Sequence, residues 1–365
     1  SYPEFLYQHA KNKTRVVIGG SHGKTTITAM LLHMCKALGI ETDYMVGSQL
    51  EGYEVMVRLS DTAPLMIMEG DEYLSSPLDR RPKFHLYKPH IALLSGVAWD
   101  HINVFPTFDI YLEQFQKFID LIEPNGHLVY CEADPHLPTL AQKARQDIGL
   151  HPYIQADYKI DTKLHRTLVQ LDGQNYAMQV FGQHNMQNIA GAALVGEAMG
   201  IAKANFYRAI ASFKGASNRL QPLHRSADRA VYKDFAHSPS KLKATVSAMK
   251  EQFPDRTLVA CMELHTFSSL TADFLSEYKD SMSVADIAIV YFNPHTIAHK
   301  RLPPISESQL IKAFNRPDLL VFTNANTLVE QLKTYTWMHK NLLLMSSGNF
   351  GGIDYQYLID FIVAQ

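Results

Sequence analysis

The residues with the clearest chemical potential lie in one short stretch near the start of the chain. Residues 19–24 read Gly-Gly-Ser-His-Gly-Lys, and two threonines follow. A glycine-rich turn that opens a helix presents backbone N–H groups and the positive end of the helix dipole to an anion. Lys24 would then reach the terminal phosphates of a nucleotide, and the Thr25 hydroxyl would ligate Mg²⁺. The predicted contacts are Gly20, Ser21, His22, Gly23, Lys24, Thr25 and Thr26.

The spacing of this loop differs from that of the usual phosphate loop, in which four residues separate the first glycine from Gly-Lys. Ile18 stands in place of that glycine, so the loop is one residue tighter. The alternative is a glycine-rich strand-to-helix turn with a surface lysine. A β-branched run precedes the loop and a helical stripe follows it, which favours nucleotide binding. The stripe consists of Ile27, Met30, Leu31, Met34, Cys35 and Leu38, and Gly39 stops it.

Two polar sites follow the next predicted strands, 63–68 and 90–96. Glu69 ends the first strand, where an acid beside a phosphate loop is well placed to hold Mg²⁺. The alternative is a solvated acidic turn. His101 follows the second strand with Asp100. It is a candidate metal ligand or a hydrogen-bond donor to a phosphate, and the alternative is a hydrogen-bonded loop pair.

Two asparagines and an arginine are further candidates. Asn185 and Asn188 lie three residues apart near a predicted helix start, where two amides suit the edge of an adenine ring. The alternative for Asn185 is a helix N-cap. Arg219 lies in the segment 215–222, which carries turn formers and a proline. It is either a surface residue or a cation that neutralises a transferring phosphoryl group.

Polar residues of the second half follow predicted strands in the same way. Asp234 and His237 follow the strand 230–233, with Ser238 as a predicted cap of the next helix. His265 and Ser269 follow the strand 257–262, and residues 346–349 follow the last strand, 341–345. Ligands of such sheets bind at the carboxyl ends of the strands. These residues therefore predict a substrate-binding site at the carboxyl ends of these strands.

Strands and helices alternate along the chain, which predicts an α/β fold with helix-covered parallel sheets. We expect a central ATPase domain over 1–221, with a mostly parallel sheet of the P-loop type. A smaller Rossmann-like domain is expected over 222–365. Asp172-Gly173 between two alternating runs predicts a β-hairpin.

Composition limits the classes of protein. The 365 residues are 46% hydrophobic with a formal net charge of −2, which gives no basic field for nucleic acid. No apolar run approaches the roughly 18–20 residues of a membrane helix. The three cysteines are widely spaced and predict buried thiols in a reducing cytoplasm rather than disulfides. Nothing in the sequence indicates an oligomeric state.

Taken in order, these motifs resemble the Mur ligase family, the ATP-dependent amide-bond enzymes of peptidoglycan synthesis. The resemblance covers nearly the whole chain. The motifs are Gly-Ser-His-Gly-Lys-Thr-Thr, Glu69-Gly-Asp-Glu, Asp100-His101, Gly-Gln-His-Asn-x-x-Asn, an arginine-bearing linker and Asp-Phe-Ala-His-Ser-Pro. The stretches 2–7 and 78–84 look most like the branch that attaches a recycled tripeptide during murein recycling.

The resemblance implies a reaction and roles for individual residues. ATP would phosphorylate the carboxylate of UDP-N-acetylmuramate, and the amine of L-alanyl-γ-D-glutamyl-meso-diaminopimelate would displace phosphate from the acyl phosphate. Catalysis is assigned to Lys24, His101 and Arg219. Thr25 and Glu69 would ligate one Mg²⁺ and His101 a second. Asn185, Asn188, Arg219 and Asp234 would contact the nucleotide, and His237, His265 and Ser269 the substrates.

Departures from the family pattern leave alternatives open. Gly70 stands where the family commonly has alanine, and Asn218 stands where it has the first of two arginines. The alanine-adding branch has arginine at the position of Ser269, which disfavours L-alanine as acceptor but keeps it as the near alternative. A phosphotransferase, a folylpolyglutamate-type ligase or a nucleotide-binding module remain further readings. The family's UDP-binding front domain is expected to be absent from this chain.

Overall fold

The computed structural model describes residues 1–50, 52–99 and 104–365. The chain forms two compact units. The first comprises Ser1–Lys159 and Thr167–Ser217, and the second comprises Ile160–Arg166 and Asn218–Gln365. The units divide four residues before the predicted boundary at 221/222. A short excursion, Ile160–Arg166, belongs to the second unit, where the His165 carbonyl accepts hydrogen bonds from Arg225 and Gln252.

The first part of the chain alternates strands and helices as the sequence predicts. Its helices are α1 (Tyr2–Ala10), α2 (Lys24–Ala37), α3 (Phe108–Asp120), α4 (Leu137–Gln142), α5 (Gln183–Ala198) and α6 (Lys203–Ile210). Its strands are β1 (Thr14–Gly19), β2 (Thr42–Met45), β3 (Val57–Arg58), β4 (Leu65–Glu69), β5 (Ile91–Leu94), β6 (His127–Cys131), β7 (Gly149–Tyr153), β8 (Tyr158–Asp161), β9 (Arg166–Leu171) and β10 (Gln174–Met178).

Seven of these strands form one sheet in the order β3-β2-β4-β1-β5-β6-β7. All neighbours in it are parallel except β2 and β3. Strand β1 lies between β4 and β5, and Val16, Val17 and Ile18 are fully buried, as strands covered by helices on both faces require. The carboxyl ends of β1, β4 and β5 therefore meet at one edge, which places the loops that follow them side by side.

A separate antiparallel sheet has the order β10-β9-β8. The predicted hairpin at Asp172-Gly173 is confirmed: Leu171 pairs with Gln174, and both turn residues have positive φ, 49° and 77°. Positive φ at both positions gives a turn whose twist matches that of the flanking strands.

The second unit contains a second α/β arrangement. Its helices are α7 (Pro239–Gln252), α8 (Ala272–Leu275), α9 (Pro294–His299), α10 (Glu307–Ala313), α11 (Ala325–Lys333) and α12 (Tyr355–Val363). Its strands are β11 (Gln221–Arg225), β12 (Ala230–Asp234), β13 (Thr257–Leu264), β14 (Ile287–Phe292), β15 (Leu320–Phe322) and β16 (Lys340–Met345). They form a sheet in the order β11-β12-β16-β13-β14-β15, parallel except for β11 with β12.

The α/β prediction is confirmed, and each strand predicted for the second half is present within two residues of its expected ends. The short strands β2, β3, β7, β8 and β11 were not predicted, because their apolar runs are brief or mixed with polar residues. Ser238 does occupy the N-cap position of α7, but its side chain makes no capping hydrogen bond. Among the described residues, no helix is both long and apolar enough to cross a bilayer.

Gly70 directly follows β4, and a substitution there tests how tightly the carboxyl ends of the strands of the first sheet are packed. A Cβ there would lie 2.8 Å from Val17 Cγ1 and 3.2 Å from the Ile18 carbonyl oxygen. We expect Gly70→Ala to lower the free energy of unfolding by about 1–3 kcal/mol in chemical denaturation, through overpacking. Gly196→Ala in α5 is the matched control, because its Cβ would have ordinary contacts at 3.4 Å or more. That substitution should be neutral or stabilising, and equal losses in both variants would contradict the packing argument.

Candidate functional site

The predicted phosphate loop runs from the end of β1 to the start of α2, and two of its glycines have backbone conformations that other residues rarely adopt. Gly20 has φ +115° and Gly23, the N-cap of α2, has φ +80°. A Cβ at Gly20 would overlap the Ser95 hydroxyl, and one at Gly23 would overlap the amide oxygen of Asn188. Both positions therefore require glycine, because conformation and space exclude a side chain.

Lys24 turns back across this loop. Its ammonium donates to the Gly20 carbonyl at 2.7 Å and to Glu72 Oε2 at 2.9 Å. The lysine side chain is 14% exposed and that of Glu72 only 2%. Burial by itself lowers the pKa of Lys24, but the hydrogen-bonded carboxylate of Glu72, together with the nearby charges of Asp71 and Glu69, outweighs it, so the pKa is raised from its ordinary value. The loop therefore keeps a buried positive charge at the place where nucleotide phosphates bind in such loops.

Thr25 and Glu69 converge at the edge formed by β1 and β4. The Thr25 hydroxyl donates to Glu69 Oε1 at 2.7 Å, and the Gly47 N–H donates to Glu69 Oε2 at 2.8 Å. A hydroxyl and a carboxylate held in contact at the start of a helix are oxygen donors of the kind that Mg²⁺ uses beside a nucleotide. The pair fits the predicted metal site. Within the described part of the chain, no group of three or more His, Cys, Asp or Glu residues could hold a metal.

Ser21 is tied to the protein through both its backbone and its side chain. Its N–H donates to the Gly96 carbonyl at 2.9 Å. Its hydroxyl donates to the Ala98 carbonyl at 2.9 Å and accepts from the Ala98 N–H at 2.7 Å. The structure thus gives Ser21 a role in holding the loop against the segment after β5. Its predicted contact with a nucleotide stays a prediction. The carbonyl of the next residue, His22, accepts from the Ser95 hydroxyl, and Thr26 is buried.

Asn185 and Asn188 lie in the first two turns of α5, and both are buried. Gly182 is the N-cap of this helix, so the interpretation of Asn185 as a cap is wrong. Its amide instead donates to the Phe181 carbonyl at 2.8 Å. Asn188 is the residue that fills the space beside Gly23. The structure therefore places Asn188 directly against the phosphate loop.

In the second unit, Asp234 organises the segment that carries Arg219. Its carboxylate accepts from the N–H groups of Leu220 and Ala236, both at 2.6 Å. Burial raises the pKa of Asp234, although these hydrogen bonds and the nearby Arg219 oppose the shift. The Arg219 guanidinium stacks 4.9 Å from the centre of the Phe235 ring. Arg219 is thus positioned by an aromatic face, with no carboxylate within ion-pair distance among the described residues.

The other predicted residues of the second unit follow β12 and β13. His237 Nδ1 lies 2.9 Å from the Phe235 carbonyl. His265 is partly exposed and its Nδ1 lies 3.8 Å from Glu263. Ser269 is buried, and its hydroxyl donates to the Thr266 carbonyl at 3.0 Å. These contacts give Ser269 a role in the turn, and its contact with a substrate stays a prediction.

Two buried acids were missed by the sequence reasoning as functional residues. Glu72 is the partner of Lys24, and the only signal for it was its place in the acidic motif that begins at Glu69. Glu263 is the penultimate residue of β13, and it accepts from the Ser346 hydroxyl and from the Phe350 N–H at 2.8 Å. It holds the loop after β16 against the strand end that leads to His265. His101, the predicted second metal ligand, lies outside the described residues.

Comparisons with known proteins identify relatives. Residues 18–196 match the family model described as Mur ligase middle domain. The chain is 28% identical over 328 residues to the UDP-N-acetylmuramate–L-alanine ligase of Roseiflexus sp. (strain RS-1), which covers 80% of this chain and 68% of that protein. It is 25% identical over 375 residues to the UDP-N-acetylmuramate–L-alanyl-γ-D-glutamyl-meso-2,6-diaminoheptandioate ligase of Haemophilus influenzae. That alignment covers 99% of this chain and 79% of the Haemophilus protein.

A solved structure shows the same fold. The MurF ligase of Thermotoga maritima, crystallised with ADP, superposes with a TM-score of 0.70 at 17% identity, over 99% of this chain and 82% of its own. This chain spans 59% of the length of the UDP-N-acetylmuramate–L-alanine ligase of Arthrobacter sp. (strain FB24) and 79% of the length of the Haemophilus protein.

Gly23 provides a direct test of the loop geometry. We expect Gly23→Ala to weaken ADP binding by at least roughly tenfold in calorimetry, because the new methyl group meets Asn188 and the loop must distort. The matched control is Gly39→Ala at the other end of α2. Gly39 also has positive φ, +70°, but no atom lies within 4 Å of its Cβ position. It should cost stability and leave ADP affinity unchanged, and an equal loss of affinity in the two variants would contradict a local steric cause.

Proposed function

We propose that this chain, whose residues 18–196 match the Mur ligase middle-domain model, is a Mur ligase: an ATP-dependent, ADP-forming enzyme that makes a C–N bond. Its substrates would be the carboxylate of UDP-N-acetylmuramate and the amine of the tripeptide L-alanyl-γ-D-glutamyl-meso-diaminopimelate. The observation that carries this proposal is the phosphate loop, in which the buried Lys24 ammonium lies beside the Thr25–Glu69 pair. The reaction belongs to murein recycling in the cytoplasm.

The identity of the acceptor rests on the relatives. The tripeptide ligase of Haemophilus influenzae aligns over 99% of this chain, whereas the alanine ligase of Roseiflexus aligns over 80%. The higher identity of the alanine ligase, 28% against 25%, keeps L-alanine as the second candidate. We favour the tripeptide because Ser269 lacks the positive charge that the alanine-adding branch has at this position.

The proposed chemistry has two steps. A carboxylate oxygen of the muramate attacks the γ-phosphorus of ATP, ADP leaves, and an acyl phosphate forms. The acceptor amine then attacks the acyl carbon, inorganic phosphate leaves, and the amine loses a proton as the amide forms. Lys24 neutralises oxygens of the transferring phosphoryl group, and Arg219 is proposed to stabilise the charge that develops on it. Mg²⁺, when bound, supplies further charge neutralisation at the β- and γ-phosphates.

Roles for the remaining residues follow the same proposal. Thr25 and Glu69 would hold Mg²⁺, and His101 would hold a second ion. Asn185 and Asn188 would contact the adenine side, and Asp234 would lie at the edge of the nucleotide. His237, His265 and Ser269 would contact the substrates.

The two parts of the chain receive separate roles in this proposal. Residues 1–221 would form the ATP-binding domain on a sheet of the P-loop type, and residues 222–365 the Rossmann-like ligase domain. The ADP held by the structurally similar MurF ligase supports the choice of nucleotide.

Lys24→Ala should abolish nucleotide binding and turnover, because the loop loses the charge that pairs with phosphate. Isothermal calorimetry with ADP and a phosphate-release assay measure the two effects. Lys36→Ala in the last turn of the same helix is the control, since Lys36 is exposed and its ammonium lies over the Tyr53 ring. Unchanged ADP affinity in Lys24→Ala would argue against the proposed phosphate loop.

The acceptor can be decided by comparing turnover with the tripeptide and with L-alanine. We expect faster release of phosphate, and a new amide product by mass spectrometry, with UDP-N-acetylmuramate, ATP and tripeptide. A reaction without UDP-N-acetylmuramate is the blank. Faster turnover with L-alanine would reverse our ranking, and ADP formation without any amide would favour a phosphotransferase.

A further inference from the structure

We propose that Glu72 is the counter-ion that takes the place of phosphate on Lys24 when the nucleotide site is empty, and that Glu72 thereby limits nucleotide affinity. The inference deepens the proposed function and rests on it, because it assumes that the Lys24 loop binds a nucleotide. It assigns Glu72 a role in the nucleotide site, whereas the resemblance to the family assigned it none.

The contacts of Lys24 carry the first step of the argument. A lysine ammonium has three N–H donors, and in this structure Gly20 and Glu72 accept two of them. Glu72 Oε2 lies 2.9 Å from the ammonium nitrogen, which is charge-assisted hydrogen-bond distance. A nucleotide phosphate seeks the same cation. Glu72 therefore competes with phosphate for the charge of Lys24.

The surroundings of Glu72 show that this contact is built into the fold. The side chain is 2% exposed, and its second oxygen lies 3.4 Å from the hydroxyl of Tyr111. Tyr111 is fully buried on α3 and packs against the rings of Phe105 and Phe115. We expect a carboxylate that is buried in this way to keep its place when phosphates arrive, because leaving would cost it these contacts. It stays as a negative charge beside them.

Thermodynamic linkage then fixes the direction of the effect. Without nucleotide, removal of the Glu72 charge leaves the buried ammonium without its hydrogen-bonded carboxylate, which destabilises the empty protein. With nucleotide, phosphate pairs with the same ammonium, so the loss is smaller. A substitution that harms the empty form more than the bound form must tighten binding. Repulsion between Glu72 and the phosphates acts in the same direction.

The contact pattern also distinguishes Glu72 from Thr25 and Glu69, the proposed ligands of the first Mg²⁺. The Thr25 hydroxyl donates to Glu69, whereas Glu72 accepts from Lys24. Charge competition at Lys24 does not need a metal ion. The effect of Glu72 should therefore be present in the absence of Mg²⁺ as well.

The test is Glu72→Gln, which keeps the size of the side chain and removes its charge. We expect a lower thermal midpoint without nucleotide, together with ADP binding that is roughly fivefold tighter by calorimetry, both in EDTA and in Mg²⁺. Glu72→Asp keeps the charge at a greater distance and should fall between the wild type and Glu72→Gln. This second variant keeps the test decisive if the glutamine variant does not fold.

Asp43→Asn is the matched control. Asp43 is also a buried acid of the first unit, and it pairs with Lys13, which precedes β1 at the opposite edge of the sheet from the phosphate loop. This variant should lose stability and keep the ADP affinity of the wild type.

The outcomes separate the inference from the proposed function. If the wild-type chain binds no ADP, the proposed function fails. If the wild type binds ADP and Glu72→Gln binds it equally or more weakly in EDTA, the inference is overturned and the proposed function stands. Tighter binding in EDTA combined with weaker binding in Mg²⁺ would make Glu72 a metal ligand, which also overturns the inference.

Discussion

A lysine side chain that is only 14% exposed has to find partners for its ammonium group inside the protein, and the loop edge of the first unit meets this requirement. The Lys24 ammonium is held between the carbonyl of Gly20 and the carboxylate of Glu72. These partners come from different segments: the loop after β1 and the turn after β4. Parallel pairing of β1 with β4 brings the two strand ends together, so the sheet order determines whether the charge is satisfied. The same edge brings Thr25 to Glu69.

Buried carboxylates play a comparable part in the second unit. Asp234, at the end of β12, accepts two backbone N–H groups and fixes the segment around Arg219. Glu263, one residue before the end of β13, fixes the loop after β16. Each acid converts the end of a strand into an anchor for a neighbouring loop. Because β16 lies between β12 and β13, the anchored loops adjoin each other at one edge of this sheet.

Much of the fold could be predicted from the sequence because the main strands are mostly apolar. The main helices carry a stripe of buried residues, and several of them are bounded by glycine or proline. The run before the phosphate loop and the stripe after it are of this kind. Short strands such as β2, with sequence Thr-Asp-Tyr-Met, have no such pattern. They exist because neighbouring strands supply their hydrogen bonds, which a local reading cannot detect.

The site was predictable only in part. Glycine, lysine and threonine types mark the phosphate loop because their chemistry is local. The partner of Lys24 depends on which strand lies beside β1, and the role of Ser21 depends on the segment after β5. Asn185 was open to interpretation as a cap because helix starts differ by a few residues from their sequence signals. Such pairings require the three-dimensional arrangement.

The contact between Gly23 and Asn188 has an evolutionary consequence. The two residues are 165 positions apart in the chain, yet the asparagine occupies the volume that a side chain at Gly23 would need. A larger residue at one position is compatible with the fold only if the other becomes smaller and the backbone adjusts. The two sites should therefore show correlated substitution among related sequences, with a bulkier residue at 188 excluded wherever the loop keeps this conformation.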